Sequence, residues 1–278
     1  MTNPSSTSNN APIGVFDSGV GGLTVARQLY KLLPHEDVVY FGDVGRTPYG
    51  GRSKEIIRQF TLQDVAFLIE HDVKLIICAC NSASSVALGE VAKEHEVGML
   101  GVIEPGAQAA VARTTNGRVG VIGTNATIGS NAYASTIHRI DPKIKVFSLA
   151  CPLFVPLAEE GYLDKDATYL IARDYLQTMH DVDIDTLVLG CTHYPLLRQV
   201  IADVMGDKVT LIDSGEETAR VAFSTLTDRG LLRTDEQDAS AGTRQYFVSD
   251  VPEKFGNVAG KFLGEPIDKI TRVDISGY

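Results

Sequence analysis

Nine short apolar runs punctuate the chain, and most are followed by an amphipathic stretch. They are IGVF (13–16), VVYF (38–41), KLIICA (74–79), MLGVI (99–103), RVGVIG (118–123), KVFSLA (145–150), TLVLG (186–190), VTLID (209–213) and RQYFVS (244–249). Between them, residues 53–71 carry Ile56, Ile57, Phe60, Val65, Phe67 and Leu68 as an apolar helical face, and residues 165–180 form a second such stretch. Strand alternating with helix predicts an α/β fold of mostly parallel sheets flanked by helices. Nine strands would make a large single sheet, so two similar α/β domains are expected, with the site in the cleft between them. In open sheets of this kind, ligands bind beyond the carboxyl ends of the strands.

Composition narrows the functional classes. With 44% hydrophobic and 22% charged residues, the chain has the usage of a soluble globular protein. A net charge of −10 and the lack of a basic run argue against a nucleic-acid partner. The N-terminal MTNPSSTSNNAP has neither a basic start nor an apolar core; residues 1–12 read as a disordered tail and not as a signal peptide. No apolar run is long enough to cross a membrane. Cys78, Cys80, Cys151 and Cys191 are then expected to be reduced thiols in a cytoplasmic protein, not a disulfide framework.

The strand exits are chemically loaded. Asp17 and Ser18 follow the first run, ahead of Gly19, Gly21 and Gly22; Thr124 and Thr127 follow RVGVIG; Asp213, Ser214 and Gly215 end VTLID. DSGVGG has neither the spacing of a dinucleotide fingerprint nor the lysine of a P-loop, so no nucleotide site is read there, although N–H groups at a helix start can hold a carboxylate. LIICACNSAS and TLVLGCTHYP share one pattern: apolar strand, small residue, cysteine, two polar residues. Their cysteines, Cys80 and Cys191, lie 111 residues apart, about one domain length. This suggests two similar halves, each presenting a thiol from the same position.

Two facing thiols suit one reaction well. Inverting a carbon by moving one proton needs a base on each face. Two bases within about 3–3.5 Å of that carbon would stand roughly 6–7 Å apart. Other readings remain open on the residues alone. Cys191 with His193 could be a hydrolase or transferase nucleophile pair acting on a small amino acid derivative, which leaves Cys80 unexplained. Cys78, Cys80, Cys191 and His193 could gather around zinc, although C-x-C and C-x-H lack the usual ligand spacing. The chain could also be a non-enzymatic binder of small acids. Cys78, inside its apolar run, and Cys151, before a proline, read as packing.

Taken in order, GVFDSGVGGLTV, GDVGRTPYG, ACNSAS, CPLFVPLAEEG, LGCTHYPLL and DSGEETA resemble the glutamate racemases of the aspartate/glutamate racemase superfamily, from residue 13 onward. The resemblance implies cofactor-independent, metal-free interconversion of L- and D-glutamate that supplies D-glutamate for peptidoglycan, by a cytoplasmic enzyme forming a homodimer. Another amino-acid racemase of the superfamily is the alternative. It implies that Cys80 exchanges the proton of D-glutamate and Cys191 that of L-glutamate. Asp17 would assist the first thiol, and His193 and Glu159, in preference to Glu160, the second. Asp17, Ser18, Tyr49, Gly50, Asn81, Ser82, Thr192 and His193 would bind substrate, joined by Thr124 and Thr127. The family usually has threonine where Ser82 stands, so one methyl group is lost and the hydroxyl kept. The implied division is 13–103 plus 214–278 for the first domain and 104–213 for the second.

Overall fold

The computed structural model describes residues 8–233 and 241–278, so most of the expected tail, residues 1–7, lies outside the described residues. Ten strands are described: β1 (Ile13–Asp17), β2 (Val38–Gly42), β3 (Leu75–Cys78), β4 (Gly98–Gly101), β5 (Arg118–Gly123), β6 (Lys145–Ala150), β7 (Thr186–Gly190), β8 (Thr210–Asp213), β9 (Arg244–Val248) and β10 (Ile270–Arg272). They form a six-stranded sheet, ordered β10-β9-β2-β1-β3-β4, and a four-stranded sheet, ordered β6-β5-β7-β8. All the pairings are parallel. The fold is therefore α/β with two parallel sheets. β10 has no counterpart among the nine apolar runs: it is three residues long and half-exposed at a sheet edge.

The strand order repeats. The segment β2-β1-β3-β4 of the larger sheet matches β6-β5-β7-β8 of the smaller, strand for strand. Cys80 lies just beyond β3 and Cys191 just beyond β7, which are equivalent strands. Asp17 ends β1, and Thr124 follows the equivalent β5. The internal likeness seen in two cysteine motifs thus extends to four strands of each half, with β9 and β10 added to the larger sheet.

The halves do not bury separate cores. Between the sheets, the helix Ser214–Asp228 packs on both Leu23–Leu32 and Ile103–Arg113. One apolar cluster runs through Leu23, Leu29, Ala107 and Ala219 and takes in both Val15 of β1 and Val188 of β7. A second cluster, with Phe41, Phe67, Ile76 and Cys78, covers the other face of the larger sheet. The helix expected at 53–71 spans Lys54–Ile69, started by Ser53, whose hydroxyl accepts the Ile56 N–H. Its buried face is Ile57, Thr61, Asp64, Val65, Phe67 and Leu68, while Ile56 is on the exposed side. Asp213 caps the helix Ser214–Asp228 by accepting the N–H groups of Gly215 at 2.9 Å and Glu216 at 3.3 Å.

A buried ion pair ties together the segments that lead into β2 and β3. Lys74 Nζ, from the residue before β3, lies 2.5 Å from Glu36 Oε2, and both side chains are almost fully buried. Lys74 also donates to the carbonyls of Asn9 and Leu231, and Glu36 accepts the Arg233 N–H at 2.8 Å. Removing one partner strands the other charge in the interior. Glu36→Ala is expected to lower unfolding free energy by about 3–5 kcal/mol in urea titrations followed by circular dichroism. The apolar pair Lys74→Met with Glu36→Leu recovers at least half of that loss.

Candidate active site

The carboxyl ends of β1, β3, β5 and β7 deliver the expected residues to one region. Asp17 is fully buried. Its Oδ2 accepts the Gly19 N–H at 3.0 Å, and its Oδ1 accepts the Thr192 hydroxyl at 3.5 Å. That second bond joins the exit of β1 in the larger sheet to the exit of β7 in the smaller. Thr24 reinforces it: its hydroxyl lies 3.0 Å from the Thr192 carbonyl and 2.9 Å from that of Gly21. Burial raises the Asp17 carboxyl above its ordinary value, against the pull of His193 and the N–H groups of Gly22, Gly19 and Ser18.

Cys80 is the residue that begins the helix Asn81–Val86, and its Sγ lies 3.6 Å from Ser18 Oγ. Burial first, and then the Asp17 charge, push its thiol up to about 12. On the other half, Cys191 Sγ lies 3.8 Å from His193 Nδ1. His193 Nε2 lies 3.0 Å from Oε1 of Glu159, the last residue of the helix Phe154–Glu159. Burial opposes charging of this imidazole. Its hydrogen bonds to Cys191 and Glu159, with the charges of Cys191 and Asp17, prevail and push it up to about 10. At neutral pH His193 is then a cation, donating from Nδ1 toward a sulfur and from Nε2 to a carboxylate. The Phe262 ring stands edge-on to it, with centroids 5.2 Å apart.

A second group of polar residues gathers beside Cys80. Thr124 Oγ1 is 2.9 Å from Ser82 Oγ and 3.1 Å from Thr127 Oγ1, and it caps the helix Asn125–Gly129. Gly50 closes against it; a Cβ there would meet the Thr124 Cβ at 2.7 Å. Asn81 Oδ1 accepts the Tyr133 hydroxyl at 2.8 Å, while its buried Nδ2 has no partner among the described residues and is free to donate. Tyr49 sits differently from what a side-chain contact to substrate would need. It is fully buried, with its hydroxyl bonded to Asp43 and Asp64, so only its backbone can face a ligand. A cavity of about 510 Å³, lined by Gly19, Val20, Thr47, Glu159 and Lys261, opens at the edge of this constellation. Among the described residues, no three His, Cys, Asp or Glu side chains gather as a metal would require, and no helix is long and apolar enough to cross a membrane. Cys78 lies in the core behind the larger sheet and Cys151 is buried beside Tyr194, whose hydroxyl donates to the Cys151 carbonyl at 2.8 Å.

Three contributors were not anticipated from the sequence. Tyr133 reaches Asn81 across 52 positions, and Phe262 reaches His193 from a helix near the chain's end. Thr24 alone had a signal, a hydroxyl on the otherwise apolar start of the helix after DSGVGG.

Known proteins share this architecture. Residues 32–222 match the model of the Asp/Glu/Hydantoin racemase family. The glutamate racemase of Geobacter metallireducens is 50% identical over 264 residues, spanning 95% of this chain and 96% of the relative. A crystal structure of glutamate racemase from Francisella tularensis in complex with D-glutamate superposes with a TM-score of 0.90 at 40% identity, over 97% of this chain and 100% of that one. A glutamate racemase isoform from Bacillus anthracis gives 0.91 at 39% identity, over 96% of this chain and 98% of that one. The fold is thus that of an amino-acid isomerase, and the chain belongs to the Asp/Glu/Hydantoin racemase family, among its glutamate racemases.

The turn between Asp17 and the first helix is packed tightly against the second half. A Cβ on Gly21 would come 2.3 Å from Thr192 Oγ1 and 2.6 Å from the His193 ring. Gly21→Ala is therefore expected to displace both groups and lower kcat/KM by about 100-fold, since misplacements near 1 Å carry such penalties. The overpacking should also lower its urea midpoint, so the rate is read under conditions where circular dichroism shows the variant folded. An unchanged rate would show that Thr192 and His193 need not hold these positions.

Proposed function

We propose that the protein interconverts L- and D-glutamate by direct proton transfer at Cα, with Cys191 and Cys80 as the two bases and no cofactor. The observation that carries this reading is the pair of thiols beyond equivalent strands, joined through Asp17 and Thr192. In the L-to-D direction, the Cys191 thiolate, stabilised by the His193 imidazolium, takes the Cα proton. The electron pair left on Cα delocalises into the α-carboxylate. The Cys80 thiol then gives its proton to the opposite face, leaving a Cys80 thiolate and a Cys191 thiol. The reverse direction exchanges the roles. A free thiolate is too weak a base for this proton, so hydrogen bonds to the developing charge and exclusion of water must lower the barrier.

Asp17 assists Cys80 in this scheme, and Glu159 holds the proton on His193. The remaining contacts to glutamate come from Ser18, the Tyr49–Gly50 backbone, Asn81, Ser82, Thr124, Thr127, Thr192 and His193. Asn81 Nδ2 is the donor best placed by its own bonding, because Tyr133 already occupies Oδ1. This donor set accounts for recognition of a dicarboxylate by an acidic chain. The product would supply peptidoglycan assembly, with the enzyme acting in the cytoplasm as a homodimer.

Purified protein given L-glutamate, without pyridoxal phosphate, should form D-glutamate, read by chiral chromatography. Cys80→Ser and Cys191→Ser should each lower kcat/KM by about 10²–10⁴-fold or more. A wild-type rate in either variant contradicts the two-base scheme. Formation of a trapped acyl-enzyme would favour the hydrolase alternative instead.

The pH profile has a defined sign. Enantiomers are equal in free energy, so kcat/KM has one profile for both directions. Raised to about 10, His193 keeps its proton throughout neutral pH and loses it on the basic side. The basic limb should therefore lie well above the ordinary histidine range. Glu159→Gln weakens the hold on that proton, so the limb should move to lower pH. A limb that stays in place would remove Glu159 from this role.

A further inference from the structure

The segment GDVGRTPYG contributes Tyr49 and Gly50 to the proposed site, but its Asp43 and Arg46 have no part in the chemistry above. They belong to a buried cluster with Asp64, from the inward face of the helix Lys54–Ile69. Tyr49 Oη touches Asp43 Oδ2 and lies 2.9 Å from Asp64 Oδ2. Arg46 donates from Nε to Asp43 Oδ2 at 2.6 Å and from Nη2 to Asp64 Oδ1 at 3.0 Å. Arg46 Nη1 donates to Gln63 Oε1, and Gln63 Nε2 donates to the Tyr278 carbonyl at 3.1 Å. The guanidinium also lies over the Phe60 ring, 4.1 Å from its centroid.

Counting protons decides how this cluster works. A phenol has one proton to donate, yet its oxygen lies in hydrogen-bond contact with two carboxyl groups. Were both ionised, one contact would set oxygen lone pairs against each other in a water-free interior. One further proton is needed. Asp43 Oδ2 already accepts from Arg46, which disfavours that oxygen as the carrier. Asp64 Oδ2 faces the phenol oxygen and can donate to it. The chain of bonds then runs from Asp64 O–H to Tyr49 O–H to the Asp43 carboxylate, whose charge Arg46 balances. Burial, then the charges of Asp43 and Asp17, push the Asp64 carboxyl well above the usual range, against Arg46 and Tyr49.

The consequence reaches the cleft through the backbone. Tyr49 is fixed by its ring tip, and the next residue, Gly50, is pressed against Thr124, which links Ser82 and Thr127. We propose that Asp64 is a positioning residue that works as a neutral carboxylic acid, donating to Tyr49 so that the Tyr49–Gly50 backbone is held in place to bind glutamate; this rests on the racemase reading above.

Asparagine is the matching isostere: its Nδ2 can donate to Tyr49 while its Oδ1 accepts from Arg46. Asp64→Asn should therefore keep KM for glutamate within about threefold of the unsubstituted enzyme, while Asp64→Ala raises KM at least about tenfold with a smaller change in kcat. Tyr49→Phe, which removes the hydroxyl that joins the carboxyl groups, should raise KM in the same manner and serves if Asp64→Ala fails to fold. In an infrared difference spectrum at neutral pH, unsubstituted protein minus Asp64→Asn should show a protonated-carboxyl carbonyl band. A carboxylate band in its place, or an Asp64→Asn variant as impaired in KM as Asp64→Ala, would overturn the proposal. The infrared result does not depend on turnover. If the unsubstituted protein fails to racemise glutamate, the functional reading falls while the charge state of Asp64 is still decided.

Discussion

The proton on His193 is the charge on which the candidate site depends. The ring that carries it lies between the Cys191 sulfur, on its Nδ1 side, and Glu159 Oε1, on its Nε2 side, with the Asp17 carboxyl close enough to act on its charge. Under the proposed mechanism, losing that proton would leave a Cys191 thiolate in a buried space with Asp17 and an anionic substrate. With it, the second half of the site carries a cation while Cys80, raised to about 12, stays a neutral thiol. The two sulfurs are thus held in different charge environments although they follow equivalent strands. Under the proposed two-base scheme, that difference would let one sulfur accept a proton as the other gives one.

The fold makes this arrangement from a repeated plan. Equivalent strands β3 and β7 each release their cysteine at the carboxyl end, and β1 lies beside β3 just as β5 lies beside β7. What differs is the company each thiol receives. Cys80 begins a helix and meets Ser18; Cys191 meets a histidine two residues on. The shared helical layer between the sheets, rather than a thin linker, carries the relation between the halves, and the Asp17–Thr192 and Thr24–Thr192 bonds tie that layer to the site.

The strands were largely legible because each buried one is a short, continuous apolar run. VTLID differs from β8 by one residue, and TLVLG coincides with β7. β10 was not, because Ile270–Arg272 is short and lies at an edge. The thiol pair and its adjacent polar residues were legible because local chemistry at strand exits is written in order along the chain. Glu159 came from resemblance alone, since nothing near it predicts a contact with His193 across 34 positions. Tyr49 with Gly50 was expected among the substrate contacts; that the contact would fall to the backbone was not legible, because the carboxylates that hold the Tyr49 hydroxyl come from a loop and a helix brought together only by folding. Asp64 was hidden for the same reason: it occupies an apolar helical face, and its justification lies in the partners Tyr49 and Arg46.

The central claim is that one thiol removes the proton on one face and the other delivers a proton on the opposite face. Following L-glutamate in D₂O at early conversion, by proton NMR and chiral mass analysis, tests it most directly. Monoprotic thiols on opposite faces predict that newly formed D-glutamate carries deuterium at Cα while the remaining L-glutamate keeps its protium. Deuterium appearing in recovered L-glutamate as fast as D-glutamate forms would mean that a single base serves both faces, and would contradict the account.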